Sequence, residues 1–277
     1  MNLTTIDNVD KVKVFKDRLK NGLTVVSIEQ PHIHSMELGM FVRSGLRFEN
    51  ENNNGISHFL EHMLFRGNVA YPNSYLLNRE FEGIGRDLRA STMSDHTYYG
   101  FSPHVSNLER AMELFSEFFH APTFPEIEIE RGIILEECLE DFNEQGIDVD
   151  INNLACKLLY PDNALAWPTI GTEESIKNIS VEILKEQYEK YYVPGNMILV
   201  QAGRVDHDVF VDYANKYFSR LMGEGSISAN CFDGCLDESQ TQPEFLFQQD
   251  SDSQVQLQIC FRGVSYNHPD YFITNLI

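Results

Sequence analysis

Basic residues are scarce in this chain: 21 Lys and Arg stand against 42 Asp and Glu, for a net charge of -21. Such a balance excludes a surface that tracks phosphates, so no nucleic acid and no anionic membrane is expected as a partner, and cationic ligands are mildly favoured. Cysteine is scarce as well. Cys138, Cys156, Cys231, Cys235 and Cys260 form an odd, scattered set without a C-x-x-C pair, which excludes a disulfide framework and a cysteine metal site and fits a reducing compartment. No apolar run approaches the roughly 20 residues a membrane span needs. Met1 to Asp10 lacks a hydrophobic segment and carries Asp7 and Asp10; neither a secretory signal nor an Arg-rich transit peptide is expected there, and the expected location is cytoplasmic.

What the chain does have is 277 residues, 42% of them hydrophobic, enough for one large domain and part of another. Its chemistry is concentrated in Gly55-Ile56-Ser57-His58-Phe59-Leu60-Glu61-His62-Met63-Leu64-Phe65-Arg66-Gly67. On a helix, His58 and His62 are four residues apart and project from one face, close enough for one metal ion to bridge them. Glu61 follows His58 by three and lies on the same side, placed to act as a base beside a Lewis acid without being a ligand. Asn52 to Gly55 break what precedes, Ser57 is a candidate cap, and Gly67 with Asn68 can end the helix. Phe59, Leu60, Met63, Leu64 and Phe65 form a face that must be buried, which puts the histidines at the bottom of a cleft.

Hydrophobic periodicity places this helix on a sheet. Val12 to Phe15 and Leu23 to Ile28 read as strands around Asn21-Gly22. Met36, Leu38, Met40 and Val42 alternate as a strand leading to the histidine helix. A helix over Asn73 to Phe81 precedes paired strands at Leu88 to Ser91 and Thr97 to Phe101, and Ser106 starts a long amphipathic helix through Phe119. Pro125 opens a helix from Glu126 to about Asn143. Glu130 and Glu137 lie on one face of it, two turns apart, but Glu126, Glu128, Glu136, Glu140, Asp141 and Glu144 are candidates of the same kind, and spacing alone leaves the choice open. Helices over Asp150 to Leu159 and Ser180 to Tyr191, a loop from Tyr160 to Gly171, a strand at Met197 to Ala202 and a helix at Asp208 to Phe218 complete a first domain, 1–222. A link rich in small and polar residues, 223–241, follows. Val255, Leu257, Ile259 and Phe261 then alternate as Met36 to Val42 do, with a helix expected from His268, so that 242–277 reads as the beginning of a second repeat that lacks the two histidines and stops short.

Taken together, these blocks resemble the pitrilysin/insulinase family of zinc metallopeptidases, whose signature is H-x-x-E-H. The resemblance runs from Leu19 to Gly203 and rests on N-G-L-T-V-V, the histidine block, E-R-G-I-I-L-E-E, Ile170-Gly171-Thr172 and Tyr191-Tyr192-x-Pro194-x-Asn196-Met197. It implies an α+β fold, an antiparallel sheet flanked by helices, and a zinc-dependent endopeptidase or oligopeptidase acting on extended peptides. By resemblance His58, His62 and Glu137 bind one zinc ion, Glu61 is the general base, and Glu130 assists catalysis. Substrate would add as a strand along Leu88 to Thr92, with Arg89 and Ala90 in contact with it. Arg89 stands where the family usually has Asn, which implies altered substrate positioning or a preference for carboxylate groups; Asn68 stands where it often has Thr. The family's C-terminal half, which encloses the substrate and supplies an Arg and a Tyr, is expected to be missing. A homodimer or partner subunit would then complete the chamber, or the chain would be a zinc-binding but inactive half.

Overall fold

A computed structural model describes residues 12–223, 242–250 and 254–274; the expected link 223–241 falls almost wholly outside them. β1 (Lys13–Arg18) and β2 (Thr24–Glu29) form the opening hairpin, and β3 (Met36–Val42) leads to α1 (Ile56–Phe65). After α2 (Ser74–Ile84), β4 (Arg89–Thr92) and β5 (Thr97–Phe101) pair antiparallel. Then come α3 (Leu108–Phe118), α4 (Ile127–Leu139), α5 (Ile151–Leu159), α6 (Glu173–Asn178), α7 (Val181–Tyr191), β6 (Met197–Gly203), α8 (His207–Phe218) and a short α9 (Tyr271–Thr274).

The strands form one sheet in the order β1-β2-β6-β3-β5-β4. The expected α+β class holds. Pairing is antiparallel except between β2 and β6, which run parallel, because the long helical excursion between them returns the chain in the same direction. Period-two alternation decides the buried face: Leu38, Met40, Val42, Tyr99, Phe101 and Leu199 are buried, whereas Glu37, Phe41, Tyr98 and Ile198 on the other face are half-buried or exposed. Against the buried face pack α1, α3 and α8 through an aromatic core. Phe81 meets Phe101 edge-on at 4.8 Å, and Phe118 meets Phe119 at 4.9 Å. Each such fully buried Phe contributes roughly 1.5–3 kcal/mol, with up to about 1.5 kcal/mol more for a well-oriented pair.

Several local expectations change. The helix expected to reach Asn143 ends at Leu139, because the Asn143 side chain accepts from the N–H groups of Gln145 and Ile147 and closes a turn that competes with helix. Its N-cap is Glu126, at φ 55. α6 lies in a stretch with no helix expected; Thr172 and Ser175 form a reciprocal capping box at its start, with Ser in the place where Glu or Gln is the more legible signal. Ser57 does not cap α1. The N-cap is Gly55, and the orphan N–H groups of Gly55 and Ser57 donate to the buried Glu49 carboxylate at 2.8 and 2.9 Å. No strand forms at Val255 to Phe261. Those four alternating residues are between 71 and 97% exposed, since alternation creates an apolar face but not the neighbouring strand that a ladder requires.

Candidate metal centre

α1 and α4 cross beside the edge strand β4, and the crossing brings three donors together. His58 and His62, one turn apart on α1, direct their Nε2 atoms at each other across 3.2 Å. Glu137 on α4 places Oε2 3.9 Å from His58 Nε2 and 3.7 Å from His62 Nε2. The donor atoms of the three lie within 4.8 Å of one another, and no other such group of three occurs among the described residues. Glu130, one of the two carboxylates that α4 turns toward α1, is nearly buried and reaches His62 Nδ1 at 2.7 Å. Glu126 and Glu128 are drawn off by arginines, Arg66 and Arg131.

These residues fit a zinc ion by their own chemistry. With Nδ1–H of His62 donating to Glu130, the tautomer is fixed and Nε2 turns a lone pair toward the convergence point. Two nitrogens and a carboxylate oxygen at tetrahedral angles on arms of about 2.0–2.1 Å would stand about 3.3 Å apart, near the separations seen. Burial, helped by the charge of His62, lowers the His58 pKa to about 4 and keeps it in the neutral form a metal needs. Burial works in the same direction on His62, but the hydrogen bond to Glu130 and the charges of Glu137, Glu130 and Glu61 outweigh it and raise its pKa.

Glu61 sits in the same crevice as the donors but outside the trio. Its Oε2 accepts from the Thr92 hydroxyl at 2.5 Å. Burial raises its carboxyl above the usual range, opposed by the hydrogen bond from Thr92. The crevice opens into a cleft of about 400 Å³ lined by Glu61, His62, Phe65, Arg66, Leu88, Arg89, Ala90 and Glu130. β4 forms one edge of the sheet, as expected. Ala90 stands opposite buried Tyr99, on the face toward the site, while Arg89 stands opposite Gly100 and turns its guanidinium to Glu37, 2.5 Å away on the other face. The structure thus brings His58, Glu61, His62, Glu130, Glu137 and Ala90 together, while Arg89 lines the cleft with its guanidinium paired to Glu37.

Three residues have roles at the site that were not expected from the sequence. Thr92 holds Glu61, and its two-residue spacing from Ala90 on a strand was the available signal. Arg66 contacts Glu130 Oε2 at 3.2 Å. Glu49, the cap of α1, lies six residues before the histidine block, outside every motif, and gave no signal.

Two crossing helices thus bring together three donors that could hold a metal ion, a carboxylate outside that trio and an open sheet edge. Residues 24–173 match the family described as Insulinase (Peptidase family M16), and residues 178–277 match the Peptidase M16 inactive domain. The first match spans more than half of the chain, and the chain belongs to this pitrilysin/insulinase family of metallopeptidases. α7, β6 and α8, within the second match, share the sheet and core of the first. The chain is 31% identical to the mitochondrial-processing peptidase subunit beta of Saccharomyces cerevisiae, over 92% of this chain and 55% of the relative. It is 27% identical to the uncharacterized zinc protease YmxG of Bacillus subtilis, over 90% of this chain and 59% of the relative. The crystal structure of a protease from Helicobacter pylori superposes with a TM-score of 0.71 at 25% identity, covering 78% of this chain and 52% of that one. The first half of the periplasmic protease PqqL from Escherichia coli does so at 0.67 and 26%, covering 78% and 48%. The chain therefore spans about half the length of the relatives it matches.

Proposed function

We propose that this chain is the zinc-bearing unit of a peptidase that hydrolyses extended peptides. The convergence of His58, His62 and Glu137, with Glu61 beside them but outside the trio, carries the reading. Zinc held by these three would supply a Lewis acid with an open fourth position and bring the acidity of water toward neutrality.

The chain's own residues do the rest. The outer edge of β4 offers main-chain N–H and C=O groups to a peptide in extended conformation, and the small Ala90 lets that peptide lie close to the site. Glu61, when ionised, takes a proton from the attacking water and passes it to the departing amine as the C–N bond breaks. Glu130 holds the His62 ring by its Nδ1–H, and Arg66 holds Glu130 in turn. The catalytic unit is assigned to 1–222, joined by 223–241 to the start of a second unit at 242–277. A partner subunit or a second copy would complete the chamber, a reading supported by the similarity to a relative that is itself a subunit of a processing peptidase.

A mixed library of fluorogenic peptides tests the proposal, with the parent compared with Glu61→Gln. The expected result is cleavage that a chelator abolishes, that Glu61→Gln lacks while binding the same amount of zinc, and that added second-half protein increases. Cleavage by Glu61→Gln at the parent's rate would remove the base from Glu61.

A further inference from the structure

Glu61 has one side-chain hydrogen-bond partner among the described residues, and that partner stands on the strand whose edge is assigned to the peptide. We propose that Thr92 is a positioning residue: its hydroxyl donates to Glu61 Oε2 and holds the carboxylate of the base in one orientation, fixed relative to β4. The inference rests on the peptidase reading for its catalytic consequence, though not for its geometry.

The local build supports a rigid mount. Thr92 is the last residue of β4 and pairs with Thr97, whose own hydroxyl donates to the main-chain carbonyl of Ser44 at 2.9 Å. The turn beyond closes with Met93 N–H on the His96 carbonyl, and its carbonyls at Met93 and Ser94 accept from the N–H groups of Leu46 and Arg47. Approach at that point is so close that a Cβ on Gly45 would lie 2.2 Å from the Met93 oxygen. The segment pinned there continues directly into Glu49, the carboxylate that caps α1. Strand β4 and helix α1 are thus held to a common segment at one end, and the Thr92–Glu61 bond joins them again across the crevice. A threonine at a strand end has an adequate reason in its backbone preference alone; that reason does not account for a hydroxyl donated to a part-buried carboxylate. A charged acceptor makes the bond about twice as strong as a neutral one, and a base displaced by about 1 Å costs on the order of a hundredfold in rate.

The experiment compares the parent with Thr92→Val, which keeps the shape and removes the hydroxyl, and Thr92→Ser, which restores it. Crystal structures of the zinc-loaded full chain give the first readout: one Glu61 rotamer in the parent and in Thr92→Ser, and two or more in Thr92→Val. Kinetics of the full chain with its second half give the other: kcat down about tenfold in Thr92→Val, KM and zinc content unchanged, and recovery in Thr92→Ser. A single, unmoved Glu61 rotamer in Thr92→Val overturns the proposal, as does an unchanged kcat there while Glu61→Gln is inactive. A parent that cleaves no peptide, with Glu61 ordered in the parent and disordered in Thr92→Val, contradicts the peptidase reading and leaves Thr92 as the anchor of Glu61.

Discussion

Glu130 and Glu137 are chemically the same and two turns apart on one helix, yet they meet different atoms. Glu137 faces both Nε2 atoms, whereas Glu130 meets Nδ1 of His62 and the Arg66 guanidinium. Their substitutions should therefore separate. Glu130→Gln should leave the three donors intact but weaken zinc binding about 10- to 100-fold by freeing the His62 ring, whereas Glu137→Gln, losing a charged donor, should weaken it further; competition with a calibrated chelator measures both. His58 gives a pH signature in the metal-free protein. Its pKa is about 4 in the fold against 6.5 for the ordinary group, so as pH falls from about 6.5 to about 4 the unfolded chain takes up a proton that the folded chain refuses, and stability declines. Chelated parent should lose melting temperature between pH 7 and pH 5 by more than chelated His58→Gln does. Equal losses would contradict the buried, neutral imidazole. At this scale the sequence carried the donors well, because helical spacing is rigid. It left the acids on α4 undecided, since every exposed Glu on a helix looks alike until its facing element is known. The direction of the Arg89 side chain was hidden for a related reason: strand alternation puts its guanidinium on the face of Glu37, and which face is which depends on a pairing between distant residues.

Elements show the same division. Strands with one buried face and helices with apolar stripes were legible, because periodicity records burial directly. The start of α1 was not. Its cap comes from Glu49, six residues before Gly55, across a loop, and only the fold brings that carboxylate to the helix end. Gly55 has φ 87, and a Cβ there would lie 2.2 Å from the carbonyl oxygen of Ile170, a backbone atom with little freedom to move. Gly55→Ala should therefore destabilise the chain by about 1–3 kcal/mol and, by shifting the end of the helix that carries His58, weaken zinc binding with it. Denaturant unfolding in chelator isolates the first effect, and zinc titration below the transition the second. Retained stability with retained affinity would mean that the close contact with Ile170 is not part of the folded protein. The alternating segment 255–261 marks the limit of periodicity as a guide: it specifies a face, and the partner strand must come from elsewhere.

For the whole molecule, a net charge of -21 surrounds a cleft whose own lining is balanced, Glu61 and Glu130 against Arg66 and Arg89, so any long-range field there comes from the rest of the surface. Cationic peptides should be drawn in at low ionic strength and lose that advantage once the screening length falls below about 10 Å, near 0.1 M salt. For a Lys/Arg-rich peptide, kcat/KM should drop several-fold between about 0.02 and 0.3 M salt, mainly through KM, while a neutral peptide of the same length changes little; parallel slopes would remove the field from the account.

All of this depends on two helices building one metal site from His58, His62 and Glu137. Zinc-edge X-ray absorption on the purified chain loaded with one equivalent of zinc tests that most directly. The account predicts two nitrogen neighbours and one or more oxygens at about 2.0–2.2 Å, no sulfur, and loss of the bound metal in His58→Ala. A sulfur shell near 2.3 Å, or a spectrum unchanged by His58→Ala, would place the metal elsewhere and contradict it.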